Sequence, residues 1–129
     1  MRDLKNNVDV VASLLPAART ASADGASADL LGYGSAVALV EFGARTDGTH
    51  TPALEESNDN ATFTAVAAAD RQGSFTACSS ADTDDVVQRV GYIGTKRYIR
   101  VALTVAGATT GALSSAVIVR GPPASAPTA

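Results

Sequence analysis

Residues 98–105 alternate without a break: Ile99, Val101, Leu103 and Val105 are aliphatic, with Tyr98, Arg100, Ala102 and Thr104 between them. Successive strand side chains point to opposite faces, so this period of two predicts a strand with its four aliphatic residues in a core. Residues 113–120 alternate again, with Leu113, Val117 and Val119 on one side, and the intervening 106–111 contain Gly107 and Gly111. The two segments therefore read as a hairpin. Upstream, 86–93 is β-rich and 94–96 makes a turn, while 35–42 is apolar on both alternating sets of positions, as in a central strand covered on both faces. Short strands separated by turn chemistry predict an all-β fold, an antiparallel β-sandwich of jelly-roll type.

The other segments fit that plan. Residues 51–57 read as a strand of which Pro52 marks a start or an edge; the Asx-rich 58–60 is a tight reversal, and 61–66 is the return strand of that hairpin. Residues 67–72 suit one helical turn, 74–78 a strand and 79–85 a polar loop. Residues 23–26 offer a hairpin turn in which Gly25 supplies a positive φ, and Asp47-Gly48 marks a further turn. Near the start, Leu4, Val8, Val11 and Leu15 recur at helical spacing, yet Val8, Val10 and Val11 are β-branched and Asn6-Asn7 suits a helix interior poorly. A short helix and an extended arm both fit before Pro16. Beyond Arg120 the prolines lack donors for a ladder, which predicts an extended or disordered tail. The organisation expected is an arm or short helix over 1–16, a sandwich over 17–120 and a flexible tail over 121–129.

Composition sharpens the picture of the core. Ala supplies 26 of the 129 residues, against three Phe, three Tyr and no Trp, so the interior must be built from small side chains. Such a core buries little area per residue, and modest monomer stability is expected unless a partner surface adds burial. The length favours one domain. Ten Lys and Arg against thirteen Asp and Glu leave a formal charge of −3, with no broad basic field, so nucleic acid is not an expected partner. Lys96, Arg97 and Arg100, with Arg89 nearby, read as a solvated strand face. No apolar run approaches the roughly 20 residues of a transmembrane helix, and no membrane partner is expected. The polar opening, followed by an apolar stretch that ends at Pro16, does not read as a secretory signal, so no export is expected.

The chemistry-bearing inventory is thin. With one His, one Cys and no nucleophile-elbow, Walker or Rossmann pattern, the chain does not read as an enzyme. His50 reads as a solvent-exposed loop histidine, and Cys78, which rules out an intrachain disulfide, as a small buried hydrophobe. Asp82-Thr83-Asp84-Asp85 and Asn58-Asp59-Asn60 hold enough oxygen ligands to raise calcium, but neither fits an EF-hand loop. They read as solvated loop charge and an Asx turn, and no metal or cofactor is expected. Gly91-Tyr92-Ile93-Gly94 lacks the Lys-Ser/Thr and helix of a phosphate loop, so its glycines read as turn positions.

Two resemblances follow from particular stretches. LEESNDNATFTAV (54–66) with KRYIRV (96–101) resembles the hairpin and return strand of discoidin-type β-sandwiches, which implies a glycan-binding module using Tyr33, Tyr92 or Tyr98. MRDLKNNVDVV (1–11), GYGSAVA (32–38), TDGTHTP (46–52) and QRVGYIGTKRY (88–98) resemble small proteins of tailed-bacteriophage and prophage structural modules. That second resemblance implies a virion structural protein, with capsid decoration (cement) the leading role and a head-completion or tail component the runner-up. It implies the major capsid protein and copies of the chain itself as partners, in a homotrimer on the capsid surface. Leu4, Val8, Val11 and Leu15 are then the candidate partner-binding residues, as an arm on the capsid or a neighbouring subunit.

Overall fold

The computed structural model describes residues 2–80 and 84–123. Its strands, in chain order, are β1 (Asp9–Arg19), β2 (Ala23–Asp24), β3 (Ala28–Asp29), β4 (Tyr33–Arg45), β5 (Thr49–Ser57), β6 (Thr64–Ala65), β7 (Arg71–Gln72), β8 (Val86–Tyr92), β9 (Tyr98–Ala106) and β10 (Ala112–Pro123). One 3-10 turn, Ala68–Asp70, falls inside the segment expected to make a helical turn. The strands form two antiparallel sheets, ordered β1-β10-β4-β8-β7 and β2-β9-β5-β6, with β3 also on β9. If β2 and β3 are counted as one interrupted strand and β7 as an edge addition, two four-stranded sheets remain. Their order is that of a jelly roll, so the fold expected from the alternation is the one found.

The core lies between the sheets. From the first sheet it takes Leu14, Ala38, Val40, Phe42, Val90, Tyr92, Ala116 and Ile118, and from the second Ala28, Leu54, Ile99, Val101 and Leu103. Ile99, Val101 and Leu103 are buried, and Val105 packs partly buried beside them, as the period of two requires. Phe42 and Tyr92 are buried in this core cluster, with Phe75 packed partly buried against it, and Ala fills much of the rest. Each buried aliphatic or Phe side chain contributes roughly 1.5–3 kcal/mol relative to exposure.

Several expectations are corrected. Segments 98–105 and 113–120 are strands but not a hairpin: β9 pairs with β5, β2 and β3, whereas β10 pairs with β1 and β4. The link between them crosses from one sheet to the other, because each strand completes a different layer. The inward face of β10 is also the opposite one. Ala112, Ser114, Ala116 and Ile118 are buried, while Leu113 is exposed and Val117 and Val119 are half-buried on the outside. The small side chains of β10 leave room for Leu14 and Phe42 beside them, on the flanking strands of the same sheet.

Residues 2–16 contain no helix, and from Asp9 they belong to the sandwich rather than to a separate arm. β1 begins at Asp9, runs through Pro16 and pairs with β10 over most of its length, with register shifts at Ala12/Leu14 and Leu14/Ala17. The sandwich likewise does not stop at Arg120. β10 continues to Pro123, with Gly121 opposite Ser35 and Pro123 opposite Tyr33, and the Gly121–Pro122 peptide is cis. A proline gives up its donor and keeps its carbonyl, and the Ser35 hydroxyl donates to the Gly121 carbonyl. The rest of the predicted tail lies outside the described residues.

Segment 74–78 is not a full strand. The Gln88 side-chain amide takes both backbone groups of Thr76, and Cys78 makes an isolated bridge with His50. The return strand 61–66 shrinks to Thr64–Ala65 for a related reason: the Asp59 carboxylate holds the N–H groups of Ala61 and Thr62 in the turn. Residues 23–26 are not a hairpin turn either. Gly25 donates to Val101 O at 2.8 Å and Ala26 to Ser13 O at 2.7 Å, so this stretch is stitched between β1 and β9.

Candidate functional site

Several titratable side chains join segments of the fold. The Asp47 carboxylate accepts backbone N–H groups from Thr109, Thr110 and Gly111, the last at 2.7 Å. These donors, Gly111 foremost, hold the carboxyl below its ordinary value of 3.8. Asp59 is pulled down to about 2, chiefly by the N–H groups of Thr62 and Ala61 and by the Ser57 hydroxyl. Residues 58–60 thus form the expected Asx turn, with Asn60 at a φ of 59°. Of the other acidic stretch, Asp82 and Thr83 lie outside the described residues. Among the described residues, no three His, Cys, Asp or Glu side chains converge as a metal site would need.

His50 is not an exposed loop residue. It lies on the inward face of β5, fully buried, with its ring edge-on to Phe42 at 6.4 Å between centroids. Its Nε2 lies 3.0 Å from the Asp47 carbonyl, which accepts from it, and its Nδ1 has no partner among the described residues. Cys78, as expected, is buried beside it. The strand expected over 51–57 starts two residues earlier, at Thr49, which takes His50 out of the loop.

Of the basic group, Arg97 and Arg100 are paired, while Arg89 is exposed. Arg97 forks onto Asp29 with two bonds of 2.8 Å, which brings the Asp29 carboxyl to about 2. Arg100 binds Glu55 at 2.8 Å and lies 4.0 Å over the Phe63 ring. At the same end of the sandwich, Arg120 pairs with Asp9, donates to the Asp29 carbonyl and covers the Tyr33 ring at 4.5 Å. Two open clefts of about 550 and 570 Å³ flank this knot, sharing Ser35, Ala36, Tyr92 and Ile93. Tyr33 and Tyr92 border the second, but Tyr92 is buried and its hydroxyl donates to Glu56 at 2.8 Å, so it offers no face for a sugar. Tyr98 lies instead beside Arg97.

The four candidate partner-binding residues divide. Leu4 and Leu15 are exposed, at 59% and 69%, whereas Val11 packs on the core and Val8 lies half-buried against Gly121. A helical spacing picked them; on a strand the parity is two, and Val10 and Ala12 are the outward neighbours of β1.

Those neighbours belong to a larger feature that sequence reasoning passed over. The outer face of the first sheet carries Val10 and Ala12 of β1, Leu113, Val117 and Val119 of β10, Val37 and Leu39 of β4, and Val87 of β8. Val10, Leu113 and Val87 are at least half exposed. Segment 35–42 is apolar on both sides, as the sequence shows, but the described residues cover only one side. The signal was the double apolar parity of β4; it was read as burial inside one molecule.

The described molecule is thus an antiparallel jelly-roll sandwich that ties its loops with charged side chains and leaves one aliphatic sheet face open. No family model and no curated protein matches the sequence. The fold is similar to that in the crystal structure of the PBSX exported protein XepA, with a TM-score of 0.59 and 20% identity over 95% of this chain and 39% of that one. The chain therefore spans well under half the length of that neighbour. A crystal structure of the SPBc2 prophage-derived protein YomS aligns at a TM-score of 0.42 and 16% identity, over 88% of this chain and 95% of that one.

Proposed function

We propose that this chain is a phage-derived structural protein without catalytic activity, a decoration (cement) protein that binds the major capsid protein on the outer surface of an icosahedral head and stabilises it. The observation that carries the phage assignment is the likeness of fold, over 95% of the chain, to an exported protein of the PBSX prophage. It agrees with the phage-module resemblance of stretches 1–11, 32–38, 46–52 and 88–98. On a shell, many copies multiply weak contacts, so a few exposed anchors suffice. Leu4 and Leu15, exposed near the start of the chain, are the anchors in this reading. Self-association belongs to it as well, and the resemblance implies three copies.

Exposed leucines can be changed without opening the core. The Leu4→Ser/Leu15→Ser double variant is expected to keep the wild-type melting temperature and to lose at least about tenfold in occupancy on emptied capsids. Unchanged occupancy removes these anchors from the reading. The second reading, a protein released from the host cell rather than carried on the particle, is favoured by the neighbour's being an exported protein. Gradient fractionation of a phage lysate separates the two: sedimentation with heads supports decoration, sedimentation with tails supports a tail component, and recovery only in the unsedimented fraction supports release.

A further inference from the structure

We infer that the open face of the β1-β10-β4-β8 sheet is a self-association surface, on which a second copy of this chain stacks face to face about a two-fold axis. The first reason is the pattern of β4. Val37 and Leu39 point outward from a central strand and are flanked by Val117 and Val119 on β10, so an apolar stripe runs across adjacent strands. Val10 and Ala12 extend it to the β1 edge, and Val87 to β8.

The second reason is charge. Glu41 of β4 and Arg89 of β8 stand on the same outer face, with Glu41 opposite Val87 and Arg89 opposite Leu39. Both are exposed, and neither side chain forms an ion pair or hydrogen bond with another described residue. The other arginine side chains of the strands are engaged, Arg100 and Arg120 in ion pairs and Arg19, Arg45 and Arg71 with backbone carbonyls. One cation and one anion on a single apolar face complement themselves when the face meets its own copy: Arg89 of each chain meets Glu41 of the other, twice across the axis. A face with this arrangement closes on one partner, so the inferred pairing is two-fold, where the phage resemblance implies three copies. Stacked sheets meet at about 10 Å with their side chains interdigitated, and the mixture of Val, Leu, Ala and Gly91 supplies the relief that this needs.

Charge reversal tests the inference on the full chain. Sedimentation and light scattering over a concentration series should give wild-type protein at twice the 13.0 kDa chain mass. Glu41→Arg alone and Arg89→Glu alone should each weaken self-association at least about tenfold, because each puts like charges together across the axis. Mixing the two single variants should restore a pair containing one of each, since every contact is then of opposite sign, and the double reversal on one chain should pair with itself. The restored pairs show that the single variants are folded. A wild-type monomer at all concentrations, an assembly of three chains, undiminished pairing of both single variants or failure of the mixture to pair would each overturn the inference. Occupancy of Leu4 and Leu15 variants on capsids bears on the proposed function and leaves this result unaffected.

Discussion

Gly25 shows how a single residue holds the two sheets in register. A Cβ there would lie 2.6 Å from the Val101 carbonyl and 2.7 Å from that of Ser13, and closer still to the Ser13 hydroxyl. The same hydroxyl donates to Ala26 O at 2.9 Å and accepts from Val101 N at 3.0 Å, so the crowding surrounds a bridge between β1 and β9. Backbone atoms cannot give way as a flexible side chain can. Gly25→Ala should therefore cost about 1–3 kcal/mol in denaturant unfolding, as overpacking does. A loss below the error of the measurement would show that the crossover relaxes. In sequence this glycine looks like a turn position, and only the neighbouring strands reveal that its role is close approach. His50 carries the same lesson: a loop neighbourhood suggested exposure, but its parity on β5 with Pro52, Leu54 and Glu56 turns it inward.

Between elements, Asp47 is the clearest coupling. It sits in the turn between β4 and β5, and its carboxylate gathers the N–H groups of 109–111 in the link from β9 to β10. Gly111, at a φ of 83°, can take this position because no side chain is present to strike the Arg19 carbonyl. The folded carboxyl is held below 3.8, so its contribution is present above that pH and is lost as pH falls through the depressed value. Asp47→Ala should lower the melting temperature at neutral pH, speed amide exchange at Thr109, Thr110 and Gly111, and flatten the loss of stability on acidification. Unchanged exchange at all three amides would rule out the clamp. The turn at Asp47-Gly48 was legible from its dipeptide; its distant partners were not, since more than sixty residues separate them. The inward face of β10 was equally hidden, because Leu113 and Val117 outweigh Ala and Ser in hydrophobicity and the alternation alone assigns the stronger set to the core.

At the scale of the whole molecule, the two sheets are joined by packing and by the hydrogen bond from Tyr92 on β8 to Glu56 on β5. Burial, then this bond, pushes the Tyr92 hydroxyl from 10.0 up to about 12. Its folded value is raised, so the stability it supplies is complete below pH 10 and is lost as pH rises toward 12. Spectrophotometric titration should show a tyrosine phase near pH 12, and Tyr92→Phe should remove that phase and cost about 1–3 kcal/mol by leaving the buried Glu56 without its donor. A phase near pH 12 that survives in Tyr92→Phe would contradict this. The sequence by itself determined the all-β class, the strands 35–42, 86–93 and 98–105 and a core of small side chains, because the period of two and the residue volumes are local properties. Only the tertiary structure decided that 98–105 and 113–120 enter different sheets, that Asp9–Arg19 pairs at an edge, and that β4 keeps one apolar side open. Those choices depend on which distant strands complete each layer, and alternation along one segment carries no record of its partners.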